Sequence, residues 1–308
     1  MTGKPLLVIL GPTGIGKTAL GIAIARALDG EIVGADSRQI YRYMDIGTGK
    51  PTPEERAAAP HHLIDIVNPD ENLGLAQYQR LAYAAIDDLH QRGKLPLLVG
   101  GTGQYLSAVT EGWSIPEVAP DHTLRAELEA FAAANGSLAL HARLQQLDPA
   151  AAAQIDHQNV RRVVRALEVC LLTGEKISDL QRKKPPPYRL LHIGLTLPER
   201  AQVYARADAR VDTMIAAGFV AEVRRLLDLG YARTLPAMSG LGYAHLAAHL
   251  LDGLPLTDAV AKTKNDTHDF IRRQYTWFRG HDLGTLWHNG EALSVAVLLR
   301  QLEAFLKG

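Results

Sequence analysis

The sequence predicts an α/β protein with a parallel sheet, interrupted by a mostly helical insertion, and three observations lead there. A short apolar strand, Pro5-Leu-Leu-Val-Ile-Leu10, runs into Gly11-Pro-Thr-Gly-Ile-Gly-Lys-Thr18, which fits G-x-x-x-x-G-K-[ST] at every fixed position and leads into a helical stretch. Apolar strands and helical stretches then alternate through the first hundred residues, the rhythm of parallel strands joined by crossover helices. Between 116 and 189 that rhythm is lost and only helical patterns remain. The expected organisation is a P-loop NTPase-like core over 1–115 and 190–308, ending in C-terminal helices, with a helical insert over 116–189.

Each element has its own local reason. Residues 6–10, 31–35 and 95–99 are short apolar runs bounded by turn residues, as buried strands require. Helices are expected near 18–28 and 75–92. In the insert, 126–134 is alanine-rich, and 160–172 places Val160, Val163, Val164 and Leu167 on an apolar face. Arg182-Lys-Lys-Pro-Pro-Pro-Tyr188 ends it, because three prolines make a poor helix and a good hinge. Residues 190–196 read as a further strand, followed by helices to the end. No internal repeat or low-complexity tract stands out.

Composition narrows the class. The chain has 308 residues, 47% hydrophobic and 21% charged, enough to bury a substantial core. Lys plus Arg and Asp plus Glu are equal at 33, so any polyanion must be held by local clusters rather than by a whole-molecule field. The start shows no signal-peptide pattern and no apolar span long enough for a membrane, and a cytoplasmic protein is expected. One cysteine, Cys170, excludes an internal disulfide and a multi-cysteine zinc site; its apolar helical setting suggests packing. His61 and His62 are adjacent on an extended stretch and point to opposite sides, which argues against a zinc site.

The loop carries the chemistry. The backbone of Gly11, Pro12, Thr13, Gly14, Ile15 and Gly16 can crowd a phosphate, Lys17 supplies a cation, and Thr18 offers a hydroxyl to phosphate or Mg²⁺. An ordinary ATPase would also end another buried strand in an aspartate that organises the metal. The strand at 95–99 ends instead in Gly100-Gly-Thr-Gly103, which weakens an ATP reading. Asp36 ends the second strand and, in an open parallel sheet, faces the crevice beside the loop. A carboxylate there accepts a proton, binds a metal or caps a helix.

Six blocks in order carry a resemblance: the loop itself, D36-S-R-Q-I-Y-R-Y-M-D-I-G-T-G-K-P51, P60-H-H-L-I-D65, L98-V-G-G-T-G-Q-Y105, N159-V-R-R-V-V-R-A-L-E-V169 and R272-R-Q-Y-T-W-F-R279. Together they resemble the tRNA dimethylallyltransferases of the IPP transferase family, over most of the chain. The resemblance implies that the loop holds the diphosphate of dimethylallyl diphosphate, with Mg²⁺ as cofactor. It implies that the exocyclic amine of an adenosine on the 3′ side of the anticodon displaces that diphosphate. Asp36 is then the general base, with Lys17, Thr18 and Thr102 beside the reacting pair. Asp36, Ser37, Arg38, Gln39 and Thr102 would meet the target nucleotide. Arg224 resembles the diphosphate-binding arginine, although Arg225 is adjacent and pattern does not separate the two. Contacts to the tRNA anticodon stem-loop would come from Arg125, Arg161, Arg162, Arg165, Gly242, Tyr243, Arg272, Arg273, Gln274 and Arg279. A monomer without membrane attachment is expected.

Departures from the family pattern are confined to RNA contacts. Ser239 and Ala244 stand where basic residues are usual, His268 stands where arginine is usual, and Asp156-His-Gln-Asn159 replaces a His-Pro-Asn-Asp run found in some members. Trp277 could stack on a base or belong to the core. The competing readings are an adenylate isopentenyltransferase, a P-loop nucleotide kinase, and an RNA-binding module without catalysis, the last of which leaves the loop unexplained.

Overall fold

A computed structural model describes residues 3–282 and 284–307. The chain divides into two compact units, one comprising Met1–Thr110 with Pro187–Gly308, the other Glu111–Pro186. The second unit thus begins at Glu111 and ends at Pro186, where the sequence reading set 116 and 189.

The first unit is built on six strands: β1 (Lys4–Leu10), β2 (Gly30–Ala35), β3 (His61–His62), β4 (Leu95–Gly100), β5 (Tyr188–Thr196) and β6 (Leu286–Asn289). Their order is β3-β2-β4-β1-β5-β6, and every pairing is parallel. The central strands are apolar at consecutive positions because both faces are covered. In β1, Leu6, Val8 and Leu10 enter one core with Tyr78, Ile86, Phe219 and Tyr243. Leu7 and Ile9 enter the other, with Leu20, Ile24, Val203, Ile271 and Leu302. Leu6, Leu7, Val8 and Ile9 have no exposed surface, and each such side chain contributes about 1.5–3 kcal/mol relative to an exposed one.

Helix Leu75–Gln91 covers the first face with Tyr78, Ala82, Ile86 and Leu89, spaced by four, four and three residues. Helix Lys17–Ala27 covers the second through Leu20, Ile24 and Ala25. Two strands were not anticipated. β3 is two residues long, and β6 lies in the C-terminal region expected to be wholly helical, where Leu286 and Trp287 are exposed and no buried pattern marks a strand.

The second unit packs helices His122–Asn135, Ser137–Leu147, Pro149–Gln154, Val160–Thr173 and Ile177–Leu180 around Leu128, Leu140, Leu144, Val163, Val164 and Leu167. Asn159 caps helix Val160–Thr173 by accepting from the Arg162 N–H, and Gly174 ends it at φ 73°. Cys170 is buried in this core, and burial pushes its thiol pKa up.

Candidate active site

The C-terminal ends of β1, β2 and β4 are neighbours, with Leu10 opposite Gly100 and Gly100 opposite Ala35. The phosphate loop, Asp36 and the Gly100-Gly-Thr-Gly103 turn therefore emerge side by side, at the edge where open parallel sheets place their ligands. In the loop, a Cβ at Gly11 would lie 2.5 Å from the Leu195 carbonyl oxygen, and Gly16 enters the helix at φ 101°, a region disfavoured for other residues. The helix that follows turns its N-terminal amides toward the loop, which favours an anion there.

Lys17 folds back so that Nζ donates to the Pro12 carbonyl at 2.8 Å. Burial pushes its ammonium pKa down to about 8; the Asp36 carboxylate works against that shift and the Arg210 guanidinium adds to it. Arg210, on helix Arg200–Ala216, thus stands within electrostatic reach of both residues, and its guanidinium packs against Gly49. A cavity of about 940 Å³ is lined by Thr18, Gly49, Arg210, Thr213 and Met214 among others.

Asp36 uses its two oxygens differently. Oδ1 accepts from the N–H groups of Arg38 at 2.8 Å and Gln39 at 3.4 Å, closing the turn after β2. Oδ2 has no hydrogen-bond partner among the described residues. The capping role and a proton-accepting role are therefore compatible. Thr102 is held next to this turn. Its N–H donates to the Ala35 carbonyl at 3.1 Å, and its Oγ1 accepts from the Ser37 N–H at 2.9 Å and donates to Ser37 Oγ at 3.3 Å.

The family model described as IPP transferase matches residues 39–281, and a second, isopentenyl transferase, matches residues 4–68. The chain belongs to the IPP transferase family. A tRNA dimethylallyltransferase of Roseiflexus sp. (strain RS-1) is 58% identical over 275 residues, covering 89% of this chain and 90% of that protein. One from Chloroflexus aurantiacus is 58% identical over 276 residues, covering 90% and 93%. Among solved structures, the tRNA isopentenylpyrophosphate transferase of Bacillus halodurans matches with a TM-score of 0.72 at 39% identity, over 99% of this chain and 96% of that one. A eukaryotic dimethylallyltransferase acting on tRNA matches with a TM-score of 0.83 at 25% identity, over 99% and 80%.

Several residues assigned by family resemblance lie elsewhere than their roles required. Arg224 is exposed on helix Phe219–Asp228, and the arginine brought to Lys17 and Asp36 is Arg210. Nothing in the local pattern singles out Arg210, one of several arginines on its helix. Tyr243 is fully buried and donates to Glu222 Oε1 at 2.7 Å, so its side chain belongs to the core. Gly242 is buried as well, and a Cβ there would lie 2.6 Å from the Phe219 ring. Gln274 is also buried.

Glu222 itself was missed. Its carboxylate accepts from the N–H groups of Asp45 at 2.8 Å, Ile46 at 2.6 Å and Gly47 at 3.0 Å, clasping the turn whose Thr48 and Gly49 carbonyls hold the Gln39 side chain. The glutamate falls on an ordinary amphipathic helix, so only the fold reveals its partners. Trp277 is half-buried and packs against the core: it lies over Gly103, donates to Ser107 Oγ at 3.2 Å and stacks on His281.

The basic groups fall into two kinds. Arg161, Arg162, Arg272, Arg273 and Arg279 are exposed. Arg125 and Arg165 instead share the buried Glu168: Arg125 Nε and Nη2 bond its two oxygens at 2.8 Å, and Arg165 Nη1 reaches Oε2 at 2.5 Å. Burial alone would raise the Glu168 pKa; the two guanidiniums override it and hold the carboxyl at about 2. Arg38 donates to the Pro236 carbonyl at 2.8 Å and to Ser239 Oγ at 3.2 Å, and His268 pairs with Asp208 at 2.8 Å while stacking on Tyr204.

Proposed function

We infer that the protein transfers the dimethylallyl group of dimethylallyl diphosphate to the exocyclic N6 amine of the adenosine 3′-adjacent to the anticodon in tRNA. Diphosphate is released and N6-dimethylallyladenosine is formed. The observation that carries this reading is the convergence of the phosphate loop, Asp36 and Thr102 at three adjacent strand ends, in a chain 58% identical to tRNA dimethylallyltransferases.

The nitrogen lone pair forms a bond to the allylic carbon as the carbon–oxygen bond to diphosphate breaks and its electron pair leaves with oxygen. The amide groups of the loop, Lys17 and Arg210 meet the charge that develops on the leaving group. The amine must lose a proton, and Asp36 Oδ2 is the acceptor beside the loop. Thr102, locked to the same turn, contacts the target nucleotide with Ser37 and Gln39. Because no phosphoryl group is transferred, the strand that ends in Gly100-Gly-Thr-Gly103 needs no metal-organising aspartate.

Mg²⁺ is in keeping with this site: Thr18 lines the cavity, and its hydroxyl would hold the ion together with diphosphate oxygens. When bound it would add charge neutralisation for the leaving diphosphate. The helical unit supplies tRNA contacts through Arg161 and Arg162, and helix Leu256–Gly280 does so through Arg272, Arg273 and Arg279. A base inside a stacked loop must be extruded to reach the donor. The test is diphosphate release from dimethylallyl diphosphate with unmodified tRNA or AMP as acceptor. Release dependent on tRNA supports the reading, release with AMP alone replaces it, and consumption of ATP without prenyl transfer favours a kinase.

A further inference from the structure

Helix Leu256–Gly280 bears Arg272, Arg273 and Arg279 on its exposed surface and, between them, a polar side chain that is 5% exposed, Gln274. Its carboxamide joins two parts of the site. Oε1 accepts from the Thr13 N–H at 3.0 Å, inside the phosphate loop, and Nε2 donates to the Gly101 carbonyl at 2.9 Å, in the turn that carries Thr102. The approach at Gly101 is tight, since a Cβ there would lie 2.5 Å from Nε2 and 3.5 Å from Lys17 Nζ.

The chemistry selects the residue. One partner is a donor and the other an acceptor, and a neutral carboxamide presents one of each on a rigid plane. Glutamate would leave the Gly101 carbonyl without its donor and set a negative charge beside the loop. Methionine would match the length and offer neither bond. The Thr13 N–H is also committed, so an anion in the loop must draw on the amides that follow it.

We propose that Gln274 is a positioning residue that fixes the spacing between the diphosphate loop and the Thr102 turn, rather than a contact to tRNA. This rests on the prenyl-transfer reading for its effect on turnover, but not for its effect on the loop. Losing the bridge lets the loop and the turn drift apart, which weakens anion binding and misplaces the acceptor amine, while the RNA-facing surface of the helix is left as it was.

The test compares Gln274→Glu and Gln274→Met with wild type in three measurements: calorimetric binding of inorganic diphosphate, filter binding of tRNA, and kcat and KM for dimethylallyl diphosphate, each on protein whose melting temperature has been checked. Both variants should bind diphosphate about 10-fold or more weakly, as expected when a buried hydrogen bond is lost, with Glu worse than Met because of its charge. Their tRNA affinity should stay within about twofold of wild type, and kcat should fall as well as KM rise. Weakened tRNA binding with unchanged diphosphate binding would overturn the proposal, as would a folded Gln274→Met enzyme with wild-type constants. If wild type binds diphosphate but transfers nothing to tRNA, the functional reading fails while the diphosphate comparison still judges Gln274.

Discussion

Lys17 should take up a proton when a prenyl diphosphate binds. Burial holds its pKa near 8 in the free protein, well below its ordinary 10.5, which corresponds to a cost on the order of 3 kcal/mol for keeping the charged form in place at neutral pH. A bound diphosphate adds its negative charge to that of Asp36 and returns the pKa upward. The free protein then has about one tenth of Lys17 neutral at pH 7 and about nine tenths at pH 9, so uptake should climb from ~0.1 to ~0.9 proton across that range. Calorimetric titrations in two buffers of different ionisation enthalpy measure it directly. The sign for stability is opposite to that of a paired lysine. The unfolded chain keeps the extra proton between pH 8 and 10.5, so the protein gains stability as pH rises through that window, and Lys17→Met should lose this gain. Proton uptake that is absent at pH 9, or identical in Lys17→Met, would refute the reasoning.

Asp36→Asn keeps the turn cap through its side-chain oxygen but removes the base, and should bind both substrates while losing roughly 10²-fold in turnover; partial rescue by added Mg²⁺ would make Asp36 a metal ligand instead. Arg210→Ala should raise KM for the prenyl donor by about 10-fold or more through loss of a charged group facing diphosphate, whereas Arg224→Ala should stay within about twofold in the same steady-state assay. Replacing Arg161 and Arg162 by Ala should flatten the plot of log tRNA affinity against log salt by about one to two units, as fewer counterions are released. Arg165→Ala should act differently, lowering the melting temperature because it strips one of two guanidinium partners from the buried Glu168, by less than the roughly 3 kcal/mol of an outright broken buried pair, since Arg125 still holds both oxygens.

The fold core was legible because its signals are local and repeated. β1 and β4 are apolar at successive positions, β2 is so apart from Glu31, and the loop pattern fixes where β1 ends. β6 was not legible: four residues with two exposed apolar side chains pair only because β5 has an open edge beside them. At the candidate site, the proximity of the loop, Asp36 and Thr102 could be read because strand ends in a parallel sheet converge, so position along the chain implies position in space. Arg210 and Arg224 show the limit. Both are arginines on amphipathic helices, and which one reaches the loop depends on how helices Arg200–Ala216 and Phe219–Asp228 pack, not on their own spacing. Tyr243 and Gln274 were assigned to RNA contacts by resemblance, yet their buried side chains bond Glu222 and Gly101, 21 and 173 residues away, partners that no local pattern announces. Arg125 and Arg165, on different helices, look like RNA contacts until Glu168, on the buried side of the helix that carries Arg165, is seen to hold both.

The most direct measurement is the chemical identity of the product. Unmodified tRNA is incubated with the protein and dimethylallyl diphosphate labelled in the prenyl group, then digested to nucleosides and separated. The account predicts label in a single nucleoside, N6-dimethylallyladenosine, in equal amount to the diphosphate released, and roughly a hundredth as much label when Asp36→Asn is assayed for the same time. Label in another nucleoside, label that appears only when AMP replaces tRNA, or diphosphate released without a prenylated product would contradict it.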